Sequence, residues 1–111
     1  MPLQWALPIA DQEGIQGWVV HIDHFGNAIT NIPASLLDQE QLANLTCYIR
    51  GGIIRGLSST YGAVDQGEPL VLVGSSGYVE IAVNTGHAAN LLSIRKGDSV
   101  SLMYSTRFAR V

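Results

Sequence analysis

Apolar positions in this chain come in runs of four to six residues broken by glycine and polar punctuation, a spacing that predicts strands rather than helices. The clearest alternation is Tyr78-Val79-Glu80-Ile81-Ala82-Val83, where Val, Ile and Val take every second place, as a half-buried strand requires. Ser75-Ser76-Gly77 turns the chain into it from Leu70-Val71-Leu72-Val73-Gly74, a continuous apolar run too short for an ordinary helix and therefore a buried strand. Gly51-Gly52, between Thr46–Arg50 and Ile53–Leu57, matches the twist of a tight hairpin. Upstream, Gly17–Asp23 and Ala28–Ile32 read as extended segments on either side of a sharp turn at Phe25-Gly26-Asn27. Pro33 with Leu36, Leu37, Leu42 and Leu45 predicts one short helix or two turns, and His87–Leu92 one or two helical turns. Lys96-Gly97-Asp98 turns into a last strand, Ser99–Tyr104, and Arg107–Val111 reads as a tail or strand extension. Residues 1–16, with two early prolines and no period, read as a linker; residues 17–111 read as an all-β domain, a small closed antiparallel barrel with one or two short helices.

Composition narrows the classes. With 111 residues, 47% apolar and 14% charged, the chain is one domain able to bury a core without disulfides and is not a disordered segment. Its net charge of −3, with the basic residues scattered, provides no stripe for a nucleic-acid backbone. The single Cys47 sits in a strand-like setting as a small hydrophobe, which suits a reducing cytoplasm. No apolar run approaches the roughly 18 residues of a membrane span, and no signal-like segment opens the chain, so a cytoplasmic location is expected.

The densest chemistry is the run Asp23 to Asn31, which gathers a carboxylate, two carboxamides, a hydroxyl and an aromatic ring around Gly26. The Asn27 amide offers donor and acceptor together, as a purine edge requires, and a fixed Asp23 can hold an ammonium group. Asp and Asn beside Gly are also ordinary turn formers. The Gly74-Ser75-Ser76-Gly77-Tyr78 tip, with its hydroxyls and backbone N–H groups, can cup a carboxylate or phosphate, although Ser-Ser-Gly serves many turns for conformational reasons alone. His21, His24 and His87 lack metal-ligand spacing and read as packing or surface residues; no metal is expected. Trp18 and Tyr61 are able to stack on a ring, but an isolated aromatic in a barrel is more often core. No nucleophile–base order and no phosphate-binding glycine loop is present.

The stretches Ile22–Ile32 and Gly74–Asn84, with Tyr61-Gly62 and Lys96–Val100 in the same order, resemble the C-terminal domain of the S-adenosylmethionine (SAM) hydroxide adenosyltransferases, or SAM hydrolases, and of the related fluorinating and chlorinating enzymes. The resemblance implies a barrel joined to a larger N-terminal α/β domain, with trimeric assembly and active sites shared between neighbouring subunits. SAM enters as substrate, no cofactor is needed, and adenosine and methionine are the hydrolytic products. By that resemblance Asn27 bonds the adenine, Phe25 and Tyr61 wall it, and Val83-Asn84-Thr85 lies against it through backbone. Asp23 takes the methionine ammonium, and Ser75 the carboxylate. Ser76 stands where fluorinating members carry arginine, and Ala28 and Ile29 where they carry an aromatic, so the hydrolase branch is the nearer likeness. The family's water-activating groups belong to the N-terminal domain, so the resemblance implies a binding half with no catalytic residue of its own and no turnover alone. The alternative is a non-enzymatic barrel kept for oligomerisation or for binding another ligand.

Overall fold

A computed structural model describes residues 7–50 and 52–104, apart from the Tyr61 side chain; the readings made for Gly51, for the first six residues and for Arg107–Val111 lie outside the described residues. Eight strands are described: β1 (Ile9–Ala10), β2 (Gly14–Ile22), β3 (Ala28–Pro33), β4 (Leu45–Ile49), β5 (Gly52–Arg55), β6 (Pro69–Val73), β7 (Tyr78–Val83) and β8 (Ser99–Tyr104). One four-residue helix, α1 (Ala88–Leu91), follows β7. All pairings are antiparallel, in the order β5-β4-β8-β2-β3-β7-β6, with β1 added beside β2. The outer strands of that order come back toward each other, and just beyond β5 the Ser58 N–H donates to the Val71 carbonyl of β6 at 2.7 Å. The result is an all-β, nearly closed barrel, as the strand pattern predicts.

Alternate residues fill its interior. Ile15 and Val19 of β2, Ile32 of β3, Val79 and Ile81 of β7, and Val100 and Leu102 of β8 are all at most 2% exposed. Each such aliphatic side chain contributes about 1.5–3 kcal/mol on burial, so this shared interior is the main source of stability.

The structure departs from the pattern in three places. β2 starts at Gly14, earlier than Gly17, because Asp11 Oδ1 accepts the Glu13 and Gly14 N–H groups at 2.8 and 3.1 Å and turns β1 back onto β2. The stretch after Pro33 keeps to the two-turn form of its reading, with 3₁₀ turns at Ala34–Leu36 and Leu42–Asn44 capped by Leu37 and Leu45, separated where Asp38 accepts the Glu40 N–H and the Gln41 side chain, a local bond that competes with helix. Gly52 is paired with Ile49, so it belongs to β5 and not to the loop of that hairpin. Finally, β7 is buried on both faces from Val79 to Val83, not half-buried. The segment between β5 and β6 covers its outer side: Val64 packs on Leu70, Leu72 and Ala82, and the Asn84 amide donates to the Val64 carbonyl at 2.7 Å.

Candidate functional site

The β2–β3 connection is built by one carboxylate. Asp23 Oδ1 accepts the Phe25 and Asn27 N–H groups, both at 2.9 Å, and Asp23 Oδ2 accepts the Asn27 side-chain amide at 3.2 Å. The Asp23 N–H donates to the Asn27 carbonyl at 3.0 Å, and the Gly26 N–H to the Asp23 carbonyl at 2.9 Å. Gly26 has φ +84°, a conformation in which a Cβ is costly, so the glycine is a requirement of the turn. Asn27 is 8% exposed. One of its amide hydrogens is held by Asp23, which fixes the orientation of the group and leaves Oδ1 and the second hydrogen uncommitted to the turn. Phe25, by contrast, is 70% exposed, with the His24 ring edge-on to it at 5.3 Å.

Facing this turn is the chain that leaves β7. Phe25, Asn27, Val83, Thr85, Gly86 and His87 line one open cleft of about 590 Å³. Thr85 has φ +56°, rare for a β-branched residue, a strained conformation of the kind that concentrates at functional sites. Its hydroxyl donates to the Asn84 carbonyl at 2.6 Å.

The residues singled out in the sequence therefore separate into groups. Phe25, Asn27, Val83 and Thr85 meet in the cleft, and Asp23 stands behind Asn27. Asn84 is engaged within the fold: its amide donates to the Val64 carbonyl, its N–H donates to the Glu68 carbonyl at 3.1 Å, and its carbonyl accepts the Gly67 N–H at 2.8 Å. Ser75 and Ser76 are exposed at the far end of β7 and do not line the cleft. Two N–H groups of their tip close the hairpin itself, Gly74 to Tyr78 O and Gly77 to Gly74 O, both at 2.9 Å. Ser76 lines instead a largely apolar groove of about 520 Å³ on the outside of β2, β3 and β7, with Val20, His21, Ile29 and Tyr78. The polar run after Gly26 also divides. Thr30 Oγ1 donates to the Val79 carbonyl at 2.8 Å and accepts the Ile32 N–H at 3.1 Å, and Asn31 Oδ1 accepts the Trp18 N–H at 2.8 Å, so both brace the barrel.

His87 is the cleft residue the sequence does not disclose, because its place there depends on contact with Gly26, far away in the chain. Its Nδ1 accepts the Asn90 N–H at 3.2 Å, an arrangement that puts the proton of the neutral ring on Nε2. Elsewhere, burial pushes the Cys47 thiol up to about 12, as expected of an inert core residue. No helix among the described residues is long and apolar enough to cross a membrane.

Residues 17–101 match the family described as SAM hydroxide adenosyltransferase C-terminal domain. The chain is 36% identical over 98 residues to an (R)-S-adenosyl-L-methionine hydrolase of Thermus thermophilus, a match that covers 87% of the chain and 35% of that protein. It is 40% identical over 98 residues to an (R)-S-adenosyl-L-methionine hydrolase of Salinispora tropica, covering 88% and 35%. The chain thus spans about a third of the length of the curated relatives it matches. Among solved structures, an uncharacterized conserved protein from Thermotoga maritima superposes with a TM-score of 0.73 at 34% identity, over 88% of this chain and 39% of that one. A conserved hypothetical protein from Thermus thermophilus superposes with a TM-score of 0.63 at 32% identity, over 79% and 34%. With a barrel of the same shape and a family match over most of its length, the chain belongs to the SAM hydroxide adenosyltransferase C-terminal domain family.

Proposed function

We propose that the barrel is the substrate-binding part of a SAM-hydrolysing enzyme, holding the adenine and methionine ends while a second domain supplies the attacking water. The observation that carries this reading is the buried Asn27 amide, turned into a cleft by Asp23 and faced by Thr85. An oriented carboxamide at the mouth of an otherwise uncharged cleft suits a neutral heteroaromatic edge, which needs donor and acceptor side by side. Phe25 supplies an exposed ring for stacking, and Val83 and Thr85 border the same space. Asp23 Oδ2 accepts only the Asn27 amide within the turn, so it retains capacity for an ammonium group. Ser75, with Ser76 beside it, offers hydroxyls to a carboxylate at the other end of β7; because the ammonium and carboxylate of one methionine share a carbon, that carboxylate is not the partner of an ammonium held by Asp23 of the same chain.

In the full reaction a water oxygen forms a bond to the ribose C5′ and the C5′–sulfur bond breaks. The bonding pair stays on sulfur, giving neutral methionine; the proton lost by water passes to a base outside this chain, and adenosine remains. In this reading the barrel contributes position, and the proton transfer falls to the second domain. A homo-oligomer, with trimeric assembly as in the family, then brings the second domain over the cleft.

Isothermal calorimetry tests the reading. Adenosine and SAM are expected to bind saturably, and Asn27→Ala to weaken both by at least about tenfold, the equivalent of one good hydrogen-bonded contact. Absence of binding at millimolar ligand, or an Asn27→Ala variant with unchanged affinity, would contradict it. A barrel retained for assembly alone is favoured by one feature, the exposed Tyr48 and Ile53 paired side by side on β4 and β5. It predicts self-association with no ligand response, which sedimentation with and without adenosine distinguishes.

A further inference from the structure

The turn that carries Asn27 does not stand by itself. A Cβ built on Gly26 would come within 2.3–2.4 Å of His87 Cδ2, Cγ and Nδ1, so the imidazole lies directly over the glycine. From the same segment the Ala89 N–H donates to the Gly26 carbonyl at 2.9 Å. The Asn90 N–H, donating to His87 Nδ1 at 3.2 Å, sets the rotation of the ring. Gly26 is thus held from two sides, by His87 at the start of α1 and by Ala89 within it, and it lies between Phe25 and Asn27, which line the cleft.

We infer that His87 is a positioning residue, whose ring clamps the Asp23–Asn27 turn in the shape that presents Asn27 to a purine nucleoside. This rests on the nucleoside-binding reading above and adds to it a requirement on a residue that bears none of the ligand's own hydrogen bonds. The clamp explains the pairing of residue types: glycine at 26 admits the ring, and a flat ring at 87 fills the space that the missing side chain leaves. It also joins the two walls of the cleft, so that the turn and the strained Thr85 segment move as one unit.

Three substitutions separate the ring from the backbone cap. His87→Ala removes both; His87→Asn keeps a side-chain acceptor for the Asn90 N–H but no ring; His87→Phe keeps a ring over Gly26 but no acceptor. Calorimetry with adenosine is expected to show binding weakened about tenfold in the first two and held within about threefold of wild type in the third, a tenfold loss being about 1.4 kcal/mol. Unchanged affinity in His87→Ala or His87→Asn, or a His87→Phe variant as weak as His87→Ala, overturns the clamp. A second measurement applies even where adenosine fails to bind the wild-type chain, an outcome that sinks the nucleoside reading instead. In a double-mutant cycle followed by denaturant midpoint, Gly26→Ala is expected to destabilise the His87→Ala background less than it destabilises wild type, since part of its cost is the clash with the ring. Should Gly26→Ala not fold, amide exchange at Asn27 is expected to be faster in His87→Ala than in wild type. Additive midpoints, or in the latter case equal exchange rates, overturn the inference.

Discussion

At the scale of single residues, Asp23 holds its own turn together. Three hydrogen bonds from its own turn end on its carboxylate, two of them from backbone N–H groups. Asp23→Ala is therefore expected to cost about 2 kcal/mol of stability by leaving those donors unpaired, read as a lower denaturant midpoint. A midpoint equal to wild type would show that water replaces the carboxylate freely. Cys47 makes a pH prediction. Its thiol, raised from 9.0 to about 12 by burial, holds its proton more tightly folded than unfolded. Its stabilising effect is complete below pH 9 and lost as pH rises from 9 toward 12, with a slope approaching about 1.4 kcal/mol per pH unit. Denaturation midpoints of wild type and Cys47→Ala, compared between pH 8 and 10.5, should converge as the pH rises; parallel curves would contradict this. The place of Asn27 in its turn was legible from its neighbours, because a carboxamide beside Gly in a turn is a local signal. That of His87 was not, because the contact with Gly26 spans most of the chain.

At the scale of elements, the run from Asp23 to Asn31 shows where a sequence reading overreaches. Its polar groups look like one ligand corner, yet Thr30 is 1% exposed and serves as a rivet between strands. It bridges β3 to β7 where the register shifts between Ile29 and Pro33, giving a hydrogen bond to Val79 and taking one from Ile32. Thr30→Val keeps the shape and removes both bonds, so it is expected to lower stability by about 1–3 kcal/mol while adenosine affinity in the surviving folded protein stays unchanged. A loss of affinity without a loss of stability would return Thr30 to the ligand. Strand identity was legible because alternation and glycine placement are local. The double burial of β7 was not, since it depends on a covering segment with no period of its own, anchored by Val64 and Asn84.

For the molecule as a whole, the nearly closed barrel and the family were both within reach of the sequence, the first from the number of short strands and the second from long motifs in the right order. The chain corresponds to 35% of each hydrolase it matches, and the cleft opens to solvent on this chain alone. If a second domain activates the attacking water, as proposed, positioning by the barrel alone leaves most of the barrier in place. A methionine-release assay on the purified chain with SAM is expected to stay at the uncatalysed rate; steady release proportional to protein would mean that the barrel carries its own chemistry.

Burial of β7 on both sides ties the cleft to the barrel's interior, because the chain leaves that strand at Val83 and reaches Thr85 two residues on. A wall hung so close to the core takes its place from how the core packs. A mutation that loosened the interior beneath β7 would then shift the lining of the cleft without replacing any residue in it.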